Sequence, residues 1–222
     1  MKLFVRFLLI LIVASLSAVA EETIIFETDF ANWPVQNLTP RFNMHGAEVG
    51  LVVETLIEGS VGLVPLNITD ILLDRANFTI QINADTRPTD DVAIGAGILT
   101  ADNKATLFLV GQDRTIYHLV LQVNDPGQDA TPIYFDWTDP PSFPIESYDF
   151  KYEKIEVVRH SKGGTTSVLR GVLTVNVNTE QGDDYNISQE TYDDFVDVVV
   201  GVLSFTKGAV VTFKNISITS TQ

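Results

Sequence analysis

The sequence contains no cysteine. Disulfide scaffolds, Cys-ligated zinc, iron–sulfur clusters and thiol nucleophiles are excluded together. Histidine is almost as scarce: His45, His118 and His160 are the only three in 222 residues, and their spacing follows no metal-ligand pattern. Basic residues are few, 14 Lys and Arg against 29 Asp and Glu, for a formal net charge of −15. That balance argues against a nucleic-acid partner, whose affinity comes from cations neutralising phosphates. Also missing are a Gly-x-Ser-x-Gly elbow, a phosphate-binding Gly loop, a dinucleotide fingerprint and EF-hand spacing. No segment after residue 20 reads as a clear amphipathic helix.

What is present is a globular composition, 45% hydrophobic and 19% charged. The length suits one large domain or two small ones. The first twenty residues read as a secretory signal. Lys2 and Arg6 give a basic start, Phe7 to Val13 is an unbroken apolar run, and Ala18-Val19-Ala20 is a small-residue cleavage site before Glu21. The apolar run is shorter than the ~20 residues a bilayer span needs. The expected layout is a signal peptide over 1–20 and one domain over 21–222, secreted and without an integral membrane segment. Removing Lys2 and Arg6 leaves 12 bases against 29 acids, or −17. A chain of that size buries enough apolar surface to manage without disulfides.

Five Asn-x-Ser/Thr sequons occur, at Asn37, Asn67, Asn77, Asn186 and Asn215, none with proline in the middle. In a secreted chain they predict N-glycosylation, with each Asn facing solvent.

Alternation of apolar and polar residues dominates the rest. Phe78, Ile80 and Ile82 share one face and Asn77, Thr79 and Gln81 the other. Leu173, Val175 and Val177 alternate with Thr174, Asn176 and Asn178 in the same way. Period two with β-branched enrichment predicts antiparallel strands. Runs apolar on both faces, Leu51 to Val53, Val92 to Leu99, Leu107 to Val110 and Val198 to Leu203, predict central strands. Short helical turns fit Asp70 to Asn77 and Gln189 to Val196, and a long surface loop fits Asn124 to Tyr148. Turn signals between strands, at this length, predict an all-β antiparallel sandwich of the jelly-roll kind with a dozen or so strands.

The order of segments resembles the concanavalin A-like lectin/glucanase fold. The resemblance rests on the opening Ile24-Ile25-Phe26-Glu27-Thr28-Asp29-Phe30-Ala31-Asn32-Trp33, the strand at Asn77 to Ile82 and the Gly-rich strand Gly95 to Leu99. It rests most on the end, where Val200 to Phe205, a turn at Lys207-Gly208, and Val210 to Ile218 are similar to the family's closing hairpin. There the last strand returns to pair near the first. The family's glucanases carry a strand motif Glu-x-Asp-x-(x)-Glu, and this chain has none. Glu27/Asp29 and Glu153/Glu156 are its nearest approaches. Lys214 stands near the place where some members put a calcium-binding acid. Leu73-Asp74-Arg75 and Val123-Asn124-Asp125-Pro126 resemble pieces of cadherin repeats, without the complete calcium motif.

The resemblance therefore implies binding without catalysis, with carbohydrate or a cell-surface glycoconjugate as partner. The alternatives are an extracellular adhesion protein that binds protein partners and a divergent glycoside hydrolase. The expected ligand site is Tyr134, Asp136, Trp137 and Asp139, where an aromatic platform stands beside carboxylates and Pro140-Pro141 stiffens the chain. No cofactor is expected. A weak calcium site at Asp183, Asp184 and Asn186 competes with a solvated acidic turn, as do the pairs Asp90-Asp91 and Asp193-Asp194.

Overall fold

The computed structural model describes residues 22–31, 33–34, 38–69, 77–125, 128–161, 164–182, 184–192 and 195–221, without side-chain detail at 154–161, 164–170, 184–192 and 221. The signal segment 1–20, Asn37, residues 70–76 of the helical turn expected over Asp70 to Asn77 (with Leu73-Asp74-Arg75), and Asp183, Asp193 and Asp194 lie outside the described residues; Asn77 opens a strand.

In chain order the strands are β1 (Glu22–Thr28), β2 (Phe42–Ala47), β3 (Gly50–Thr55), β4 (Ser60–Pro65), β5 (Asn77–Thr86), β6 (Val92–Thr100) and β7 (Lys104–Gly111). They continue as β8 (Ile116–Gln122), β9 (Thr131–Thr138), β10 (Ile145–Ser161), β11 (Gly164–Thr179), β12 (Asp184–Tyr192), β13 (Phe195–Ser204) and β14 (Val210–Thr221). They form two antiparallel sheets, so the all-β sandwich expected from period two is found. The first sheet has the order β12-β11-β10-β5-β14-β3-β2, with β1 also on β14; the second has the order β4-β13-β6-β7-β8-β9.

The apolar-both-faces runs sit where predicted. β6, β7 and β13 are interior strands of the second sheet. Their inward side chains, Ala96, Ile98, Phe108 and Val200, meet Ile80, Val175, Phe213 and Ile218 of the first sheet. Each Leu, Ile, Val or Phe so buried contributes roughly 1.5–3 kcal/mol against solvent. Phe30, fully buried with φ of 58°, packs on Phe213 and Trp33 at ring distances of 6.1 and 5.5 Å. The opening aromatic turn thus plugs the core beside the strand that closes the fold.

Three expectations are corrected. β13 and β14 share no pairing and lie in different sheets. The turn at Lys207-Gly208 is an arch between layers, not the bend of a hairpin. The last strand nevertheless pairs with the first, from Glu22↔Thr221 to Thr28↔Ile216. The helical turn at Gln189 to Val196 is absent from its described part, because β12 continues to Tyr192 and β13 starts at Phe195. The long loop Asn124 to Tyr148 is interrupted by β9 and by the start of β10.

The second sheet has a second apolar face, turned away from the first sheet. Leu63, Leu107, Leu109, Leu119, Val199 and Leu203 are buried there. The sheet curls around them. Tyr117 on β8 meets Phe205, just past β13, at a ring distance of 5.7 Å. Those strands are three positions apart, about 14 Å in a flat sheet. At the other end Val61 of β4 and Leu121 of β8 line one cavity of about 290 Å³. Glycine permits the curl: a Cβ on Gly97 would stand 2.0 Å from the Thr106 carbonyl oxygen and 2.8 Å from Leu107 Cδ2.

Candidate binding surfaces

β9 forms the free edge of the curled sheet, and all eight of its residues are exposed. It pairs with β8 so that Tyr117 opposes Trp137, His118 opposes Asp136 and Leu119 opposes Phe135. Side chains alternate across a strand. Phe135 and Trp137 therefore share the concave face with Tyr117, while Tyr134 and Asp136 share the opposite face with His118.

On the concave side the rings form a chain. Trp137 meets Phe135 at 6.1 Å, Phe135 meets Tyr117 at 6.1 Å and 29°, and Tyr117 meets Phe205 at 5.7 Å. Trp137 is 61% exposed, so this aromatic rim is open where the apolar trough behind it is closed. Burial first, then the carboxylates of Asp113 and Asp91, push the Tyr117 phenol up, which keeps it a neutral hydrogen-bond donor.

On the other side Tyr134 Oη donates to Asp136 Oδ2 at 2.9 Å, and the Trp137 N–H donates to Asp136 Oδ1 at 2.9 Å. The Trp137 N–H and then the Tyr134 hydroxyl hold the Asp136 carboxyl below its ordinary range, with a smaller pull from His118. It stands ionised and ready to accept further hydrogen bonds. Asp139 is exposed just past the end of the strand.

All four expected site residues are thus accessible, but they do not converge. The strand divides them, with Trp137 on one face and Tyr134 with Asp136 on the other. Phe135, Tyr117 and Phe205 join Trp137 instead. The alternation in Tyr134-Phe135-Asp136-Trp137 carried that signal, and the surrounding prolines disguised it as a loop.

The second surface was not anticipated. β10 pairs with β5 only from Phe150↔Ile80 to Glu153↔Asn77. Beyond Ile80 the two strands diverge and open a cleft of about 540 Å³ in the first sheet. A register shift between Ile145 and Ser147 bends one wall, and another between Phe213 and Asn215 lies behind the other. At the crotch Gln81 Nε2 donates to Asp149 Oδ1 at 3.0 Å. Ile82, Ala84, Ile94 and Val110 form the floor, and Tyr148, half-buried with its phenol pushed up chiefly by burial, closes one side. No local sequence signal marks this fork, because it depends on the register of strands some seventy residues apart.

Of the sequons, Asn67 and Asn215 are exposed and Asn77 is half-buried. Asn186 and its neighbour Asp184 lie on β12, where the backbone is described and the side chains are not. Among the described residues no group of three His, Asp or Glu side chains converges as metal ligands do, and no helix is long and apolar enough to cross a membrane.

No protein-family model and no curated protein sequence matches the chain. Solved structures do. A legume lectin-like domain from Entamoeba histolytica matches with TM-score 0.44 and 9% identity, over 84% of this chain and 90% of that one. A functionally unknown protein from Saccharomyces cerevisiae matches with TM-score 0.42 and 11% identity, over 85% and 96%. A carbohydrate esterase from a Shiga toxin-encoding bacteriophage matches with TM-score 0.36 and 11% identity, over 91% and 100%. Likeness of this degree does not say what the chain binds.

Proposed function

We infer that the chain is a secreted, N-glycosylated binding protein of lectin type, which takes carbohydrate at the aromatic rim of β9. The observation that carries this reading is the exposure of Trp137 at the end of a row of rings. A flat, open indole suits the C–H face of a sugar ring. Stacked rings lose little conformational freedom on binding, since two χ angles fix each one. The exposed Asp139, just past the end of β9, supplies a hydroxyl acceptor beside the platform, while Asp136 stays on the opposite face of the strand. The signal-like N-terminus and the five sequons motivate the secreted, glycosylated part of the reading.

A binding role fits better than hydrolysis. A glycosidase sets two carboxyl groups on opposite sides of the scissile bond. The acids of the cleft, Glu146 and Asp149, both stand on β10, and the β5 residues lining it include none.

One observation favours a second reading, an adhesion protein that binds protein partners. β9 is a fully exposed edge strand, and such edges accept a partner's strand. A glycan array with wild type and Trp137→Ala separates the two. Selective glycan binding that Trp137→Ala abolishes, with unchanged melting, supports the carbohydrate reading. A blank array beside stoichiometric capture of a protein partner replaces it with the second.

A further inference from the structure

The fork between β5 and β10 holds two free strand edges face to face. From Gln81 to Thr86, β5 is paired with β14 on one side only. From Ile145 to Asp149, β10 is paired with β11 on one side only. Among the described residues no strand lies between them, so backbone N–H and C=O groups of both walls face the cleft. Unpaired edges of this kind are templates for an added strand.

We propose that the fork is a peptide-binding site, which takes an extended segment as an inserted strand between β5 and β10. The wall short of the Gln81–Asp149 clasp, Ile145 to Tyr148, is four residues long, about 13 Å at ~3.3 Å per residue, which sets the inserted stretch at about four residues. Its side chains alternate between floor and solvent. The floor is apolar, so those pointing down are Val, Leu, Ile or Phe. The lining carries Glu146 and Asp149 and neither Lys nor Arg, so those pointing out are basic or neutral. A small amphiphile would use the floor and the acids but leave both backbone edges unpaired; the edges are what favour a peptide. Since β5 and β10 run antiparallel, the segment runs antiparallel to one wall and parallel to the other. Asn215, a sequon asparagine, also lines the cleft, and a glycan there would crowd its mouth.

The test uses the full chain with Asn215→Gln and a set of five-residue peptides alternating Val, Leu or Phe with Lys or Ser. Hydrogen exchange is read at the amides of 82–86 and 145–148. The expected result is slowing by at least about tenfold at the alternate amides of each wall that face the cleft, with a Lys-containing peptide, while the amides turned to β14 and β11 stay unchanged, because pairing must open before exchange. Alternate N-methylation of the peptide, which removes its donors, abolishes the effect. Glu146→Gln with Asp149→Asn weakens the Lys peptides about fivefold or more and leaves the Ser peptides unchanged. Exchange at both walls unaltered by every peptide overturns the proposal. So does equal protection by the N-methylated peptide or by dodecylamine, which would make the fork a pocket for small amphiphiles.

Discussion

Asp90 shows how one side chain ties the layers together. Its carboxylate is 4% exposed, receives Arg87 Nε at 2.8 Å and accepts the Val210 N–H at 3.0 Å. Burial pushes its pKa up, but the Arg87 and Val210 hydrogen bonds and the Arg87 charge together bring it below the ordinary value. A depressed folded-state pKa gives stability that is present above the ordinary carboxylate value and lost as pH falls through the folded one. Asp90→Asn should therefore cost about 1–3 kcal/mol at neutral pH, and its gap from wild type should close in acid. Urea denaturation of both proteins across that range checks it. Asp197 acts in the opposite sense. Burial raises its pKa despite N–H donors at Asn67, Ile68 and Val198. Its contribution is present below the ordinary carboxylate value and is lost as pH rises through the raised one. In sequence Asp90-Asp91 looked like an acidic cluster. In the fold Asp90 is buried and Asp91 exposed, and no pattern of spacing separates them. Gly97 is as demanding as either acid. Gly97→Ala would press a methyl against the Thr106 carbonyl, and a loss of about 3 kcal/mol is expected in the same denaturation experiment.

At the scale of elements, the half-buried strands were the legible part. β5 and the part of β11 from Leu173 to Thr179 follow their alternation, because one face of each meets the core and the other is turned to solvent. β9 was harder to read: its alternation from Tyr134 to Trp137 is short, both of its faces are exposed, and the prolines around it read as a loop. The closing arch was misread because alternation is identical whether the next strand pairs in the same sheet or crosses to the other. Register decides that, and register is set by distant partners. The fork escaped for this reason too. The far part of the β10–β11 ribbon invites a direct test. Pairing with β5 stops at Glu153 and pairing with β12 begins at Gly171, so among the described residues 154–161 and 164–170 are paired only with each other. A two-stranded ribbon adds little independent stability. Replacing 156–169 by a two-residue turn should leave unfolding within about 0.5 kcal/mol of wild type, read by chemical denaturation.

For the whole molecule, the missing cysteines and the excess of acid take on structural meaning. Two apolar clusters, one between the sheets and one inside the curl of the second, supply the burial that a disulfide-free chain needs. The charge of −15 keeps that much β-surface apart in solution. Self-repulsion opposes the compact state, so melting temperature should rise as salt increases from about 10 mM to about 150 mM, where the Debye length shortens to roughly 8 Å. Differential scanning calorimetry at the two salt concentrations reads the shift. Carbohydrate binding at the β9 rim is open to the most direct test, because the chain carries a built-in reporter for it. Its two tryptophans are Trp33, packed on Phe26 and Phe30, and the exposed Trp137. With Trp33→Phe, Trp137 is the sole indole, and its emission can be titrated with the glycans an array selects. A saturable blue shift, as a sugar ring replaces water on the indole, is the predicted result. Emission that stays fixed while those glycans are shown to bind would place the site elsewhere and contradict the account.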